Sequence, residues 1–483
     1  MSTISMLIDG ASVPARDGNT FERYNPLDGS VATRAPAASR ADAIAAVDAA
    51  ARAFPSWSAT GPSRRRELLL KAAHALEAKA PAFATAIAAE TGGSGLWAGF
   101  NVYLAAGMLF EAAAMTTQIS GEIIPSDVPG SLAMAMRQPA GVVLGMAPWN
   151  APVILGVRAV AAPLACGNTV VLKGSELCPA THGLIAQALQ EAGFPNGVVN
   201  YVTNAPSDAG EVVEAMIAHP AVRRVNFTGS TRVGKIIASV CAKYLKPVVL
   251  ELGGKAPVLV LDDADLDAAV NGVAFGAFAN SGQICMSTER IIADQSIADV
   301  FVEKLVSKVS GLPLGDPRKG PVVLGSVVDM ATVTRCNALI DDALVKGDKL
   351  VCGGKAETTL MPATLLDFVT RDMDIYNEES FGPVKPIVRV SGEEAAVACA
   401  NDNAYGLSSA VFTRDSARGL RVAALIQSGI CHINGATVHD EAQMPFGGVK
   451  DSGLGRFGGK AGVAEFTDLR WVMMQTAPRH YPF

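Results

Sequence analysis

The sequence predicts an α/β protein built on two mostly parallel sheets, and three observations point there. Short apolar, β-branched runs alternate with helical segments from residue 140 to 280. Strands that alternate with helices pair in parallel through right-handed crossovers. A second block of the same kind runs from Arg290 to about Ile433. At 483 residues the chain is also too long for one core, which predicts two or three domains.

Taken in order, residues 40–119 are Ala-rich with apolar residues at helical spacing, as in Ala41–Phe54 and Arg64–Ala89, and predict several helices. Residues 121–138 predict a hairpin, Gly121–Pro125 and Leu132–Arg137 around a turn at Asp127–Gly130. In the first alternating block the expected strands are Gly141–Met146, Thr169–Lys173, Val198–Val202, Arg223–Thr228, Pro247–Leu250 and Pro257–Leu261. Helices are expected between them near 152–165, 180–193, 207–218, 231–244 and 264–279. The second block predicts strand Arg290–Ala293, helices 296–310 and 327–347, strand Ile387–Val390, helix 392–402 and strand Ser409–Phe412. Gly253–Gly254 is the expected boundary, and Glu465–Gln475 ends in a strand-like run that can pair with another element or subunit.

Composition narrows the function classes. With 49% hydrophobic and 18% charged residues the chain is a packed globule rather than a disordered one. A net charge of −6 leaves no excess of basic residues for nucleic acid. The mean hydropathy of +0.28 comes largely from alanine. No run reaches the roughly 18 uninterrupted apolar residues of a membrane span, and the most apolar stretch, near Val157–Ala165, is broken by Arg158 and Pro163. Met1 to Gly18 lacks a basic segment followed by an apolar core, so a cytoplasmic location is the default expectation. The eight cysteines form no C-x-x-C pair and lie at no ligand spacing from the six histidines, so no metal centre is expected.

Several segments carry side chains suited to chemistry. Cys285 follows a helix, and Gly282 permits a sharp turn that can present the sulfur to a cleft. A cysteine thiolate is a nucleophile whose pKa falls near helix N-termini and cations; taken alone, such a residue is far more often a buried structural thiol. Glu251 ends an apolar strand before two glycines, where a carboxylate with a raised pKa can act as general base, or else sit in a structural pair. Asn150 lies between Pro148 and Pro152, so its amide is rigidly placed either to donate to an oxyanion or to cap the next helix. The stretch Phe227–Gly234 follows a strand and opens a helix, which suits a phosphate at the helix N-terminus, although Ser230 there also reads as a plain cap. Lys173 and Glu176 stand just past a strand, where an acid can hold a ribose. In Glu378–Pro383, Glu379 can do the same and Phe381 can pack on a ring.

Together the segments PWN at 148–150, FTGST at 227–231, LELGGK at 250–255, GQIC at 282–285, EESFGP at 378–383 and PFGGVKDSGLGR at 445–456 resemble the aldehyde dehydrogenase superfamily, in that family's order. The resemblance implies an aldehyde dehydrogenase-like fold: a Rossmann-like NAD-binding domain (1–119 and 140–252), an α/β catalytic domain (253–435) and a small bridging β element (120–139 and 465–483) that builds a homodimer or tetramer. It implies Cys285 as nucleophile, Glu251 as deacylation base and Asn150 with the Cys285 backbone N–H as oxyanion hole. Lys173, Glu176, Gly229, Ser230, Glu379, Phe381 and Trp149 would contact NAD. Within the family, the run at 444–459 and Arg479–Phe483 resemble the bacterial salicylaldehyde, vanillin and benzaldehyde group, which implies an aromatic aldehyde, salicylaldehyde first, with semialdehydes or aliphatic aldehydes as the alternative. The implied substrate pocket comprises Arg158, Trp97, Phe100, Tyr103, Leu104, Ile284, Met286, His439 and Phe446. Arg158 stands where many relatives have Trp, just over two helical turns after Asn150. It can meet a ring hydroxyl or pair with an acid. Trp97, Phe100, Tyr103 and Leu104 are spaced to share one helix face.

Overall fold

A computed structural model describes all 483 residues. Two sheets organise the chain. The first has eight strands in the order Gly453–Leu454, Val248–Glu251, Val222–Thr228, Val142–Met146, Thr169–Lys173, Val199–Val202, Met6–Ile8 and Ala11–Val13. Its central five strands are parallel and its outer pairings are antiparallel. The second has seven strands in the order Lys349–Cys352, Thr364–Asp367, Val384–Val390, Arg290–Asp294, Pro257–Val260, Ser408–Phe412 and Ile430–Ile433, parallel except for the first. The chain passes from one sheet to the other between Glu251 and Pro257.

The first core lies under helices Pro62–Ala78, Gly95–Met115, Pro152–Ala165 and Pro179–Glu191. Helix Pro152–Ala165 starts at a proline, which needs no N–H partner in a first turn, and every residue of it is buried. Glu90 holds the start of Pro179–Glu191: its carboxylate accepts from Ala180 N at 2.8 Å and Thr181 N at 3.0 Å, a favourable charge at a helix N-terminus. Helix Gly95–Met115 is long and apolar enough to span a bilayer by length and composition, Asn101 and Glu111 notwithstanding. Trp97, Leu104, Met108 and Leu109 are nevertheless spent inside the protein core.

Three features differ from the expectations. Residues 1–39 contribute five short strands, none of them anticipated, of which Ser2–Thr3, Val31–Pro36 and Thr20–Tyr24 form a separate three-stranded sheet. Residues 436–464, assigned to neither domain, return to the first sheet, where Gly453–Leu454 borders the Glu251 strand. Helix Ser416–Leu425 also went unanticipated, although Asp415 caps it through Ala417 N and Arg418 N. The hairpin Glu122–Ile124 and Ser131–Pro139 forms as expected, and Thr467–Gln475 adds to it as the third strand of a separate sheet.

Candidate active site

Cys285 owes its place to a strained turn. After helix Leu266–Phe278, Asn280 and Ser281 take φ of 49° and 55°, and Gly282 takes 73°. Non-glycine residues in that region cost free energy and persist only where their surroundings insist. Here Ser281 Oγ donates to Gly325 O, and Gln283 Oε1 accepts from Val328 N at 2.9 Å. A Cβ on Gly282 would lie 2.2 Å from Gly382 O, so only glycine fits. Cys285 itself is half-buried. Burial first, then the nearby Glu251 and Glu379 carboxyls, push its thiol well above the usual range, while Arg158 pulls it down. Two acids against one cation therefore leave the thiol raised rather than depressed.

Glu251 closes the Val248–Glu251 strand, paired to Thr228 on one side and Gly453 on the other. Its side chain is buried and neither carboxylate oxygen has a hydrogen-bond partner. Burial raises its pKa to about 8, opposed by the Arg158 charge and the neighbouring Cys285 thiol and assisted by Glu379 and Asp440. A buried acid without a structural partner is what the paired reading would forbid. A Cβ on Gly254 would come within 2.4 Å of the Cys285 carbonyl, so glycine lets the two segments touch.

Asn150 is buried, and its Nδ2 donates to Gln283 O at 3.1 Å, two residues before the thiol. Trp97 Nε1 and Asn280 Nδ2 both donate to the Asn150 carbonyl. The capping alternative fails, since Ala151 is the N-cap of the following helix and no side chain caps it.

These three side chains line a cleft of about 750 Å³. Trp149, Gly229, Ser230, Glu379 and Phe381 line its length. Ser230 caps helix Thr231–Lys243 through Val233 N, so the hydroxyl is already engaged there. Trp149 and Phe381 meet edge to face with centroids 5.8 Å apart. Lys173 and Glu176 lie outside that lining and are held together: Lys173 Nζ bonds Glu176 Oε1 at 2.5 Å and Asn204 Nδ2 donates to the same oxygen. Lys173 chiefly offsets the burial of Glu176 and holds its pKa below the usual value. Glu379 accepts from Gly254 N at 2.9 Å, and burial raises its pKa to about 7.

On the far side of the thiol, Ile284 and Met286 are buried in the first core, as are Trp97, Leu104 and Phe446. Arg158 pairs with Asp440 and lies 4.1 Å over the Phe446 ring centroid. Phe100 and Tyr103 do not share the buried face of their helix. Positions 97, 101, 104, 105 and 108 point inward, leaving Phe100 40% and Tyr103 78% exposed. His439 is exposed too, bonded to Glu441 at 3.0 Å and edge-on to His432.

Sequence reasoning missed the groups that hold these in place. Glu289 is clamped between Lys255 at 2.9 Å and Lys385 at 2.5 Å, and accepts from Ser380 N and Oγ. That cluster fixes the loop bearing Glu379 and Phe381. His182 links Ser175 N to Pro152 O, tying the Glu176 loop to the Asn150 segment. Asp440 stands in the run just before PFGGVK, its only visible signal.

Comparison with known proteins agrees over the whole length. The chain matches the model of the Aldehyde dehydrogenase family over residues 13–472. A vanillin dehydrogenase of Pseudomonas fluorescens is 61% identical over 482 residues, 100% of each chain. A salicylaldehyde dehydrogenase of Pseudomonas putida is 51% identical over 479 residues, 99% of each. The crystal structure of a salicylaldehyde dehydrogenase from Pseudomonas putida G7, complexed with salicylaldehyde, superposes with a TM-score of 0.98 at 50% identity and covers 100% of both chains.

Proposed function

The chain belongs to the aldehyde dehydrogenase family, and from that premise we propose that it oxidises a ring-hydroxylated aromatic aldehyde to the carboxylic acid with NAD, through a thioester on Cys285. Salicylaldehyde is the first substrate of this reading, and vanillin, named for a relative of higher identity, stands beside it. The observation that carries the reading is that a thiol, an unpartnered buried carboxyl and a fixed amide N–H line one large cleft.

Cys285 Sγ adds to the aldehyde carbon, and the carbonyl oxygen gathers negative charge between Asn150 Nδ2 and the Cys285 backbone N–H. NAD bound in the cleft supplies the hydride acceptor. The residues present fit that group: Glu176 and Glu379 each keep one carboxylate oxygen for a ribose, Gly229 and Ser230 stand at a helix start suited to phosphate, and Trp149 and Phe381 offer apolar faces. Lys173 orients Glu176. Glu251 then takes a proton from water, the hydroxide displaces sulfur from the acyl carbon, and the thiol is regenerated as the acid departs. Glu176 disfavours a 2′-phosphate, which supports NAD over NADP. Asp440 matches the charge of Arg158, so that cation is not free for the carboxylate of a semialdehyde. A homodimer, or a tetramer built from it, is the assembly we read from the exposed Leu469, Trp471 and Met474 on the last strand.

The test is NADH absorbance with salicylaldehyde, vanillin, benzaldehyde and a short aliphatic aldehyde, each with NAD and NADP. The aromatic aldehydes with NAD are expected to have the highest kcat/KM. An aliphatic aldehyde at the top would refute the aromatic reading, and equal efficiency with NADP would refute the role of Glu176.

A further inference from the structure

Asn150 and Cys285 sit on different segments of the chain, and one side chain ties the two together. Asn280 lies outside the lining of the cleft. Its Nδ2 nevertheless donates to the backbone carbonyl of Asn150 at 3.0 Å and reaches the carbonyl of Gln283 at 3.5 Å. Asn150 Nδ2 donates to that same Gln283 carbonyl at 3.1 Å. Trp97 Nε1 is a second donor to the Asn150 carbonyl, at 2.9 Å, so both lone pairs of that oxygen are taken. The Asn150 backbone is thus pinned from two sides, by helix Gly95–Met115 and by the turn before Cys285. A carboxamide carries two N–H donors. With one spent on Gln283 O, the other remains for an oxygen in the cleft, and its direction depends on where that backbone is held.

The backbone of Asn280 has a separate task. Its carbonyl accepts from Gln283 N and from Gln283 Nε2, both at 3.1 Å. The turn is held further by Ser281 Oγ on Gly325 O and by Gln283 Oε1 on Val328 N. None of these bonds uses the Asn280 side chain. The conformation at this position, φ 49° and ψ 38°, is one that glycine adopts freely and asparagine tolerates. Glycine would therefore serve the turn as well, and what asparagine adds is the amide. We propose that Asn280 is a positioning residue for the oxidation: its side chain acts through Asn150, fixing the oxyanion amide against the segment that carries the thiol. This rests on the oxyanion role read for Asn150 above.

The experiment measures the single-turnover rate of NADH formation by rapid mixing, with NAD and the aldehyde of highest kcat/KM in the panel above. Asn280→Gly keeps the turn and removes the amide, so the rate should fall by about tenfold to a hundredfold, as a displaced reacting group allows. NAD affinity, measured by calorimetry, should match the wild type. Alkylation of Cys285 by iodoacetamide, followed by peptide mass spectrometry, should match it too, because that displacement develops no oxyanion. Asn280→Asp keeps the shape of the side chain but sets an acceptor against two carbonyls, and should be at least as slow. Added to Asn150→Ala, the Asn280→Gly change should cost little more, since a residue that acts through another is silent once that other is gone. A wild-type rate in Asn280→Gly or Asn280→Asp overturns the proposal. A parallel fall in alkylation or in NAD affinity overturns it as well, by making the residue a general support of the loop, and so does a full further loss in the double variant. A wild-type rate in Asn150→Ala would instead remove the oxyanion role of Asn150, and the proposal with it. A slow Asn150→Ala beside a wild-type Asn280→Gly overturns the proposal alone.

Discussion

A carboxyl group without a hydrogen-bond partner and with a pKa near 8 titrates inside the range of an ordinary assay. Steady turnover is therefore expected to rise with pH through about 8 as Glu251 ionises. Glu251→Gln should keep a single-turnover burst of NADH yet lose about 10²- to 10⁴-fold in steady rate, the usual contribution of a general base. Rapid-mixing absorbance separates the two, and loss of the burst would assign the residue elsewhere. Arg158 favours the ionised form, so Arg158→Ala should move the limb of the kcat–pH profile upward. The same residue marks the stability curve. Between the ordinary carboxyl pKa of 4.5 and about 8 the unfolded chain gives up a proton that the folded chain retains. Stability then falls as pH rises through that window. The Tm of Glu251→Gln should exceed that of the wild type at pH above about 8 and converge with it near pH 4. Cys285→Ala should abolish dehydrogenation and leave NAD binding, measured by calorimetry, intact.

At the scale of the element, the loop from Glu378 to Pro383 depends on a carboxylate buried between two ammonium groups. Glu289→Gln leaves two buried cations without their counter-charge and should cost about 3–5 kcal/mol in denaturant unfolding. It should also weaken NAD binding, because Lys255 Nζ holds Glu378 O directly beside Glu379. Such clusters leave no periodic trace: Lys255 and Glu289 come from loops just before strands Pro257–Val260 and Arg290–Asp294, and Lys385 from strand Val384–Val390, so their meeting is a property of the fold. By contrast, helix Pro152–Ala165 and strand Thr169–Lys173 were legible to the residue, since proline marks the helix start and a run of β-branched residues fills a strand buried on both faces. Strands Met6–Ile8 and Gly453–Leu454 were not, being two or three residues long with partners some two hundred residues away. The motif positions of Cys285, Glu251 and Asn150 could be read directly, whereas the left-handed Asn280 and Ser281 that aim the thiol carry no sequence preference strong enough to announce them.

For the molecule as a whole, the sheet of Glu122–Ile124, Ser131–Pro139 and Thr467–Gln475 ends in an exposed strand with Trp471 74% and Leu469 62% exposed. An open edge with apolar side chains invites a partner strand. Trp471→Asp is expected to lower the assembly state by at least one step in light scattering; an unchanged mass would move the contact to another face. The Glu251 strand has an edge of a different kind. Its outer neighbour is Gly453–Leu454, and Ser452 Oγ reaches Gly253 O across 199 residues of sequence. A ribosome adds about 5–20 residues per second, so roughly ten to forty seconds of translation separate the two sides of that seam. Throughout that interval the nascent sheet carries an unfinished border beside its future base, and a chaperone that shields it there would act on a chain that already holds its nucleophile but is not yet an enzyme.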